Sequence, residues 1–258
     1  MDATDLQLAL ALADKADSIT SARYQAQDLV VTTKPDNTPV TDADKATETA
    51  IRELIKAQRP DDGLVGEEFG DNAEGKKRYW VIDPIDGTKN FMRGVPTWAT
   101  LIALIEDGEV VVGVASAPAL TRRWYASKNN GAFVCFNKQM PKRISVSKVA
   151  KLSDASITYS DFLGWDERSA TFDTLIKTCW RTRGFGDFWS HMLVAEGAAD
   201  IAVEPKLALW DMAAIDIIVR EAGGVFSGVN GVHGPHQGSG LSTNAHLHEA
   251  VVKHLNGK

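Results

Sequence analysis

YWVIDPIDGT, residues 79–88, is the most informative stretch of the sequence. Its first four residues are apolar and bulky, and they predict a buried β-strand that ends at Asp83. Pro84 fixes its own φ and thereby restrains the turn that follows. We expect this turn to direct the carboxylates of Asp83 and Asp86, together with the Ile85 carbonyl, toward one point.

Gly87 and Thr88 complete the turn. Glycine permits a close backbone approach, and the N–H groups of Gly87 and Thr88 are suited to hold a phosphate oxygen. The Thr88 hydroxyl is placed to orient a water molecule. Asp-Pro and Asp-Gly pairs also mark ordinary turns, so the segment taken alone is equally compatible with a turn that carries no chemistry.

Further carboxylates stand where other predicted elements begin or end. Glu67 and Glu68 follow the apolar pair Leu64-Val65, and Asp211 opens the last long helix. Hard cations such as Mg²⁺ take oxygen ligands, and several carboxylates share one site only if cations offset their repulsion. The pattern therefore indicates metal-assisted attack of water on a phosphoryl group.

Simpler interpretations of the same acids remain open at this point. Asp211 is also typical of a helix cap, and Asp44 of the acidic member of a capping box that starts at Thr41. Glu68, beside Glu67, is also typical of a solvated carboxylate.

Periodicity predicts helices and strands on both sides of this stretch. Gly-containing turns at 107–108 and 129–131 predict two hairpins, so the first half reads as helices over an antiparallel sheet. The second half alternates helix and strand. The helical and strand segments are a stripe of Leu6, Leu10, Ala13, Ala16 and Ile19, a helix at about 43–58, a helix at about 188–199, a strand at 201–203 and a helix at 212–222.

Composition excludes several classes of protein. The 258 residues are 44% hydrophobic, and 28 Lys+Arg against 34 Asp+Glu give a net charge of −6. This balance, without a basic run, disfavours nucleic-acid and membrane partners. Two cysteines, no secretory-signal pattern and no long apolar run predict a soluble cytoplasmic protein. The six histidines show no metal-ligand spacing, and we expect them on the surface.

The acidic motifs together resemble the inositol monophosphatase family of Mg²⁺-dependent phosphatases. The resemblance is carried by VTDAD, GEE, WVIDPIDGTKNF and WDMAAIDIIVREAGG, and it covers nearly the whole chain. It implies that Glu67, Asp83 and the Ile85 carbonyl hold one metal ion. It implies a second ion on Asp83, Asp86 and Asp211.

The same resemblance assigns the catalytic groups. Asp44 and Glu67 would support a third, weaker ion, while Asp44 and Thr88 polarise the attacking water. Glu67, Thr88 and Asp44 are thus the expected catalytic residues, and Gly87 and Thr88 would contact phosphate.

The family fold is a layered αβαβα sandwich with an α+β half and an α/β half, and its members are usually dimeric. We therefore expect a homodimer. Residues 1–145 would form the α+β half with the metal motifs. Residues 146–258 would form the α/β half, with the substrate-specificity residues and the last metal ligand.

Within the family the chain most resembles the actinobacterial histidinol-phosphatase group, through segments such as KPDNTPVTDAD, SAPALTRRWYA and GVHGPH. A substrate with an ammonium and an imidazole calls for carboxylates, and Asp187 and Glu204 are the candidates. Inositol phosphatases more typically carry a small residue at the position of Asp187. Arg183 matches an arginine near the substrate or the dimer contact, and Asp211 also borders the substrate.

Other functions stay open from sequence. The same chemistry on inositol phosphates is the main alternative, with 3'-phosphoadenosine 5'-phosphate or fructose 1,6-bisphosphate as rarer ones. A catalytically silent binding protein would lack a ligand or the threonine, and all are present here. No G-x-G-x-x-G stands between a strand and a helix, which excludes a Rossmann-type cofactor site.

Overall fold

The computed structural model of the chain describes residues 3–35 and 37–257. Asp36, within the quoted KPDNT segment, lies outside the described residues. The helices are α1 Ala3–Arg23, α2 Asp42–Gln58, α3 Thr88–Met92, α4 Ser169–Thr178, α5 Asp187–Ala195, α6 Leu209–Glu221 and α7 His248–Leu255. The strands are β1 Val31–Thr33, β2 Pro39–Thr41, β3 Gly63–Gly66, β4 Gly70–Asp71, β5 Arg78–Asp86, β6 Ala99–Glu106, β7 Glu109–Ala117, β8 Arg122–Ser127, β9 Ala132–Phe136, β10 Lys142–Arg143, β11 Ser156–Tyr159, β12 Arg181–Arg183, β13 Ile201–Glu204, β14 Gly224–Ser227 and β15 Gly240–Asn244.

Two larger sheets organise the chain. The first has eight strands in the order β10-β9-β8-β7-β6-β5-β3-β4, and the second has five in the order β12-β11-β13-β15-β14. The hairpins β6–β7 and β8–β9 turn where the sequence predicts them. One pair in the first sheet is parallel, β3 beside β5, with Gly66 opposite Ile82. That pairing later places Glu67 next to Asp83.

Helices cover both faces of each sheet. Helices α1 and α2 pack on one face of the eight-stranded sheet, and α6 contacts both its other face and β14 of the second sheet. Helices α4 and α7 pack together on the outer side of the second sheet. The five layers confirm the predicted αβαβα sandwich. Strand β6 is accordingly buried at seven consecutive positions, because a sheet covered on both faces has no solvent side.

The helices begin largely as the sequence predicts. Thr41 caps α2: its Oγ1 accepts the Asp44 N–H, and Asp44 Oδ2 accepts the Thr41 N–H at 2.8 Å. The predicted face of α1 is wrong in part. Leu6, Leu10 and Ile19 are half-buried, whereas Leu8 and Leu12 enter the core. The stripe is rotated because α1 lies against α2 as well as the sheet.

Strand β5 is longer than predicted and runs through the acidic motif to Asp86. Its pairing with β6 shifts register between Asp83 and Asp86, so the strand bulges at the intervening residues. Gly87 follows with a φ of +83°, which a side chain would strain, and a Cβ there would lie 2.9 Å from the Thr97 carbonyl oxygen. The chain therefore turns sharply from β5 into α3 at this glycine.

The expectation that all histidines lie on the surface is wrong for two of them. His191 on α5 is 1% exposed and His248 is 7% exposed. His191 tolerates burial because its Nδ1 shares a hydrogen bond of 2.7 Å with the Ser242 hydroxyl on β15. Burial lowers the pKa of His191 from 6.5 to about 3, so the ring is neutral in the folded protein.

This histidine should make stability fall at acid pH. Between about pH 6.5 and pH 3 the unfolded chain binds a proton at His191 that the folded chain excludes, so the free energy of unfolding decreases as the pH falls. From about pH 7.5 to pH 5 the residue should account for a loss of about 2 kcal/mol. Urea unfolding in EDTA should show a pH-dependent loss smaller by that amount in His191→Gln. His246→Gln, which changes an exposed histidine, should behave like the wild type, and identical curves for all three proteins would contradict the assignment.

Candidate metal and phosphate site

Three aspartates converge where β5 ends and α6 begins. Oxygens from the carboxylates of Asp83, Asp86 and Asp211 lie within 4.8 Å of one another. Two of these residues are buried: Asp83 is 2% exposed and Asp86 is 9% exposed. Asp211 also accepts the Ala208 N–H at 2.7 Å, so it caps α6 and joins the cluster with the same carboxylate.

Glu67 enters the site through the parallel pair β3 and β5. Because Gly66 is opposite Ile82, the next residue, Glu67, lies beside Asp83, and its N–H donates to the Ile82 carbonyl at 3.3 Å. Its carboxylate lies outside the group of three and contacts Lys34, whose Nζ is 2.7 Å from Glu67 Oε1 and 2.6 Å from Glu68 Oε1. The side chain of Glu68 is 4% exposed, so the expectation that it is solvated is wrong.

Burial and mutual repulsion perturb these acids. Burial, followed by the charges of Glu67 and Asp86, raises the pKa of Asp83 well above its usual range. Burial also raises the pKa of Asp86 strongly, with Asp187 as the next contributor. The pKa of Asp211 rises to about 6, again mainly through burial. Such a cluster attracts positive charge, since each acid is costly to ionise beside the others.

The donor set fits a hard divalent cation. The cluster offers carboxylate oxygens. The Ile85 carbonyl lies in the bulge between Asp83 and Asp86, where it accepts the Thr88 hydroxyl at 3.0 Å, and its role as a metal ligand stays a prediction. Neither histidine nor cysteine belongs to this group in the part of the chain that the structure describes. Oxygen ligands of this kind suit Mg²⁺, Ca²⁺ or Mn²⁺ rather than a softer metal. The assignment of individual residues to individual ions stays a prediction.

Asp44 and Thr88 approach each other from two different helices. Thr88 Oγ1 lies 3.4 Å from Asp44 Oδ1 and 3.0 Å from the Ile85 carbonyl oxygen, and its proton can go to either. Asp44 is fully buried, and burial raises its pKa to about 6 although the Thr41 hydrogen bonds act in the opposite direction. At neutral pH Asp44 is therefore mostly ionised and able to accept a proton or a hydrogen bond.

Asp187 and Glu204 lie on the side of the site formed by the second sheet. Asp187 opens α5, Glu204 ends β13, and Ser160 connects them: its Oγ accepts the Asp187 N–H at 2.8 Å and donates to Glu204. The Phe188 N–H donates to Asp86 Oδ2 at 2.8 Å, which attaches α5 to the aspartate cluster. Burial raises the pKa of Asp187 to about 6 and that of Glu204 to about 8.

Arg183 occupies a different environment. It is exposed on the edge strand β12, where its guanidinium donates to the Thr182 carbonyl at 2.7 Å. The structure therefore does not tie Arg183 to the acidic cluster, and its contact with substrate or with a second subunit stays a prediction.

Four residues that shape the site were not predicted from the sequence. Asn90 Nδ2 donates to Asp187 Oδ2 at 2.9 Å, and Asp187 has a φ of +51°. Such pairings join segments far apart in the chain, so periodicity gives no sign of them. Glu48 alone had a usable signal, because it lies one helical turn after Asp44 on the same face. The four residues are Lys34, Glu48, Asn90 and Ser160.

Comparison with known proteins places these features in a family. The model of the inositol monophosphatase family matches residues 2–257. A histidinol-phosphatase from Mycobacterium tuberculosis is 54% identical over 258 residues, covering 99% of each chain. A histidinol-phosphatase from Streptomyces coelicolor is 53% identical and covers 98% of this chain and 97% of its own.

Solved structures agree with the layered fold. The extragenic suppressor protein suhB from Bartonella henselae superposes with a TM-score of 0.88 at 28% identity, covering 98% of both chains. The Thermotoga maritima IMPase gives a TM-score of 0.86 at 30% identity and covers 100% of this chain and 98% of its own.

Replacing Asp83 by asparagine should separate folding from metal binding. Asn keeps the Oδ1 that accepts the Ile85 N–H at 2.9 Å but removes one buried charge. In EDTA the variant should therefore be at least as stable as the wild type. Added Mg²⁺ should stabilise the wild type by about 2.7 kcal/mol at 100 times its Kd and leave Asp83→Asn nearly unchanged.

Thermal unfolding with and without Mg²⁺ measures this difference. Asp200→Asn is the matched control, because Asp200 is a buried carboxylate that accepts the Ser156 N–H at the opposite end of β13. It should lose stability and keep the full response to Mg²⁺. An equal Mg²⁺ response in Asp83→Asn and the wild type would contradict the site.

Proposed function

Because the chain belongs to the inositol monophosphatase family, we propose that it is a Mg²⁺-dependent phosphomonoesterase that hydrolyses L-histidinol phosphate to L-histidinol and phosphate. The observation that carries this proposal is the 54% identity, over 99% of both chains, with a protein named histidinol-phosphatase. The acidic site supports the chemistry, and two further carboxylates beside it, the half-buried Asp187 and the buried Glu204, support the substrate. The reaction would belong to histidine biosynthesis.

The metal ions would occupy the oxygen-lined site. Glu67, Asp83 and the Ile85 carbonyl would hold one Mg²⁺, and Asp83, Asp86 and Asp211 a second. Asp44 and Glu67 would support a third, weaker ion. When bound, the ions supply charge that offsets the carboxylates and polarises the phosphoryl group. Lys34 contacts Glu67 at Oε1, so the ammonium would compete with an ion for that oxygen and leave Oε2 to the ion.

The chain's own groups would then orient the reactants. Thr88 Oγ1 donates to Asp44 Oδ1 and accepts a hydrogen bond from water, which aims a water lone pair at phosphorus. The bond from this water to phosphorus would form as the bond from phosphorus to the histidinol oxygen breaks. The proton that the water loses would pass through the Thr88 hydroxyl to Asp44, and the histidinol oxygen would take a proton from a water molecule. The N–H groups of Gly87 and Thr88, at the start of α3, have no helical acceptor and would hold a phosphate oxygen.

Residues beside the second sheet would recognise the cationic end of histidinol phosphate. Glu204 is buried and Asp187 is half-buried, and burial raises the pKa of Glu204 to about 8. An ammonium or imidazolium placed against them would favour their charged forms, because opposite charges lower the pKa of a carboxyl group. An inositol ring offers only hydroxyls and gains less from this pair.

Assembly and location follow from the family resemblance. We infer a homodimer in the cytoplasm that acts on a small phosphate ester without nucleic acid or membrane. Within the described residues, no helix has both the length and the apolar character needed to cross a membrane. The two cysteines, Cys135 and Cys179, are unpaired, which is compatible with a reducing compartment.

A phosphate-release assay tests the function directly. Purified wild type with Mg²⁺ should show a higher kcat/KM for histidinol phosphate than for inositol 1-phosphate or fructose 1,6-bisphosphate. Thr88→Ala, purified identically, should lose about 100-fold or more in kcat, since a positioned proton-transfer group contributes roughly that factor. Its residual rate also reveals contaminating phosphatase. Preference for inositol 1-phosphate would overturn the substrate and leave the phosphatase activity, whereas no release from any ester would overturn both.

Amide variants test the substrate contacts. Asp187→Asn and Glu204→Gln keep the side-chain shape but remove a charge-assisted hydrogen bond worth about 1.5–3 kcal/mol. Each should lower kcat/KM for histidinol phosphate by about 10- to 150-fold. The kcat/KM for a small phosphomonoester without a cationic group should fall much less. Asp161→Asn, at an exposed aspartate beside Ser160, is the matched control and should leave both rates unchanged. Equal losses on both substrates would show that the two acids serve the fold or the metals.

A further inference from the structure

Glu48 is a buried charge that the proposed reaction does not use. It lies on α2 one turn after Asp44, and its side chain is 0% exposed. Its Oε2 accepts the Glu68 N–H at 2.8 Å and its Oε1 accepts the Phe69 N–H at 3.1 Å. Arg52, four residues further along α2, pairs with Oε1 at 2.7 Å. The carboxylate thus holds the backbone of the two residues that follow Glu67.

Apart from Glu48, the turn at Glu67 is held by the short pairing of β3 with β4, where Gly66 is opposite Gly70, and by Lys34, which contacts the side chains of Glu67 and Glu68. Phe69 is 50% exposed, so apolar packing contributes weakly, and Gly70 is exposed as well. On the strand side the Glu67 N–H bonds to Ile82 at 3.3 Å, which is long for a hydrogen bond. Arg52 reinforces the far side by donating to the Gly70 carbonyl at 2.5 Å. Glu48 and Arg52 are therefore the groups that attach this turn to α2.

Gly66 shows how closely helix α2 packs against the turn after β3. A Cβ built on Gly66 would lie 2.1 Å from Glu48 Oε1 and 2.8 Å from an Arg52 nitrogen. Neither group can withdraw, because Glu48 is held by two backbone N–H groups and the arginine. The glycine of the GEE motif is therefore required by the close approach of Glu48.

We propose that Glu48 is a positioning residue that sets the metal affinity of the site by fixing the turn that carries Glu67. The proposal rests on the assignment of Glu67 as a metal ligand in the proposed function. One face of helix α2 then contacts two parts of the site. Asp44 lies against Thr88, and Glu48, one turn later, holds the turn that carries Glu67. Groups that orient ligands typically change metal affinity 10- to 100-fold when replaced.

Direct metal binding tests this role without substrate. Mn²⁺ is titrated calorimetrically into the metal-free full-length protein and its Glu48→Gln variant. Glutamine places an NH₂ against backbone N–H donors, so at least one of the two bonds to the turn is lost. The Kd for Mn²⁺ should rise about 10- to 100-fold. The Mg²⁺ concentration for half-maximal phosphate release should rise in parallel, while kcat at saturating Mg²⁺ stays within about 3-fold of the wild type.

Two further variants separate positioning from general stability. Asp200→Asn removes another buried carboxylate that holds a backbone N–H, and it should lower the Tm without changing the Kd for Mn²⁺. Gly66→Ala displaces Glu48 without removing it and should weaken Mn²⁺ binding in the same direction, so it replaces Glu48→Gln if that variant does not fold.

Each outcome of these measurements either supports or overturns the positioning role of Glu48. An unchanged Kd in the folded Glu48 or Gly66 variant, or an equal rise in Asp200→Asn, overturns the proposal. A raised Kd confined to the first two variants supports it. If the wild type binds Mn²⁺ with this pattern but releases no phosphate from any ester, the proposed function fails and the positioning role of Glu48 stands.

Discussion

Repulsion among five buried or half-buried carboxylates is the constraint on which the structure depends. Each acid has a donor that helps to hold it in place, and most of these donors are backbone N–H groups at the start of a helix or at a bulge. Without such donors, the acids would separate or take up protons. The pairs are Asp44 with Thr41, Asp83 with Ile85, Asp86 with Phe188, Asp211 with Ala208, and Glu67 with the ammonium of Lys34.

The layered fold supplies these donors because several helices begin at the same place. Helices α2, α3, α5 and α6 each start beside the end of β5, and helix N-termini carry partial positive charge. Helix α6 contributes most to this arrangement, since it packs between both sheets and also carries Asp211. The packing of α6 in the core therefore also places Asp211 in the site.

The sequence indicates the acidic residues of the cluster more clearly than the residues that hold them in place. Asp83 and Asp86 stand out because a strand, a proline and a glycine in series leave few conformations open. The capping box at Thr41 is equally local and is confirmed. The contact of Glu48 with the turn after Glu67 and the contact of Lys34 with Glu67 could not be assigned in this way, because each joins residues 20 or more positions apart in the chain. His191 was wrongly expected at the surface for the same reason: Ser242, its partner, is 51 residues distant.

The origin of each side chain suggests how such a protein diversifies. Most of the acids that bind charge at the reaction centre come from the first sheet and from α2, whereas Asp187 and Glu204 come from elements of the second sheet. Under the proposed function, substitutions at the end of β13 and the start of α5 would therefore change which substrate is bound and leave the proposed metal ligands unchanged.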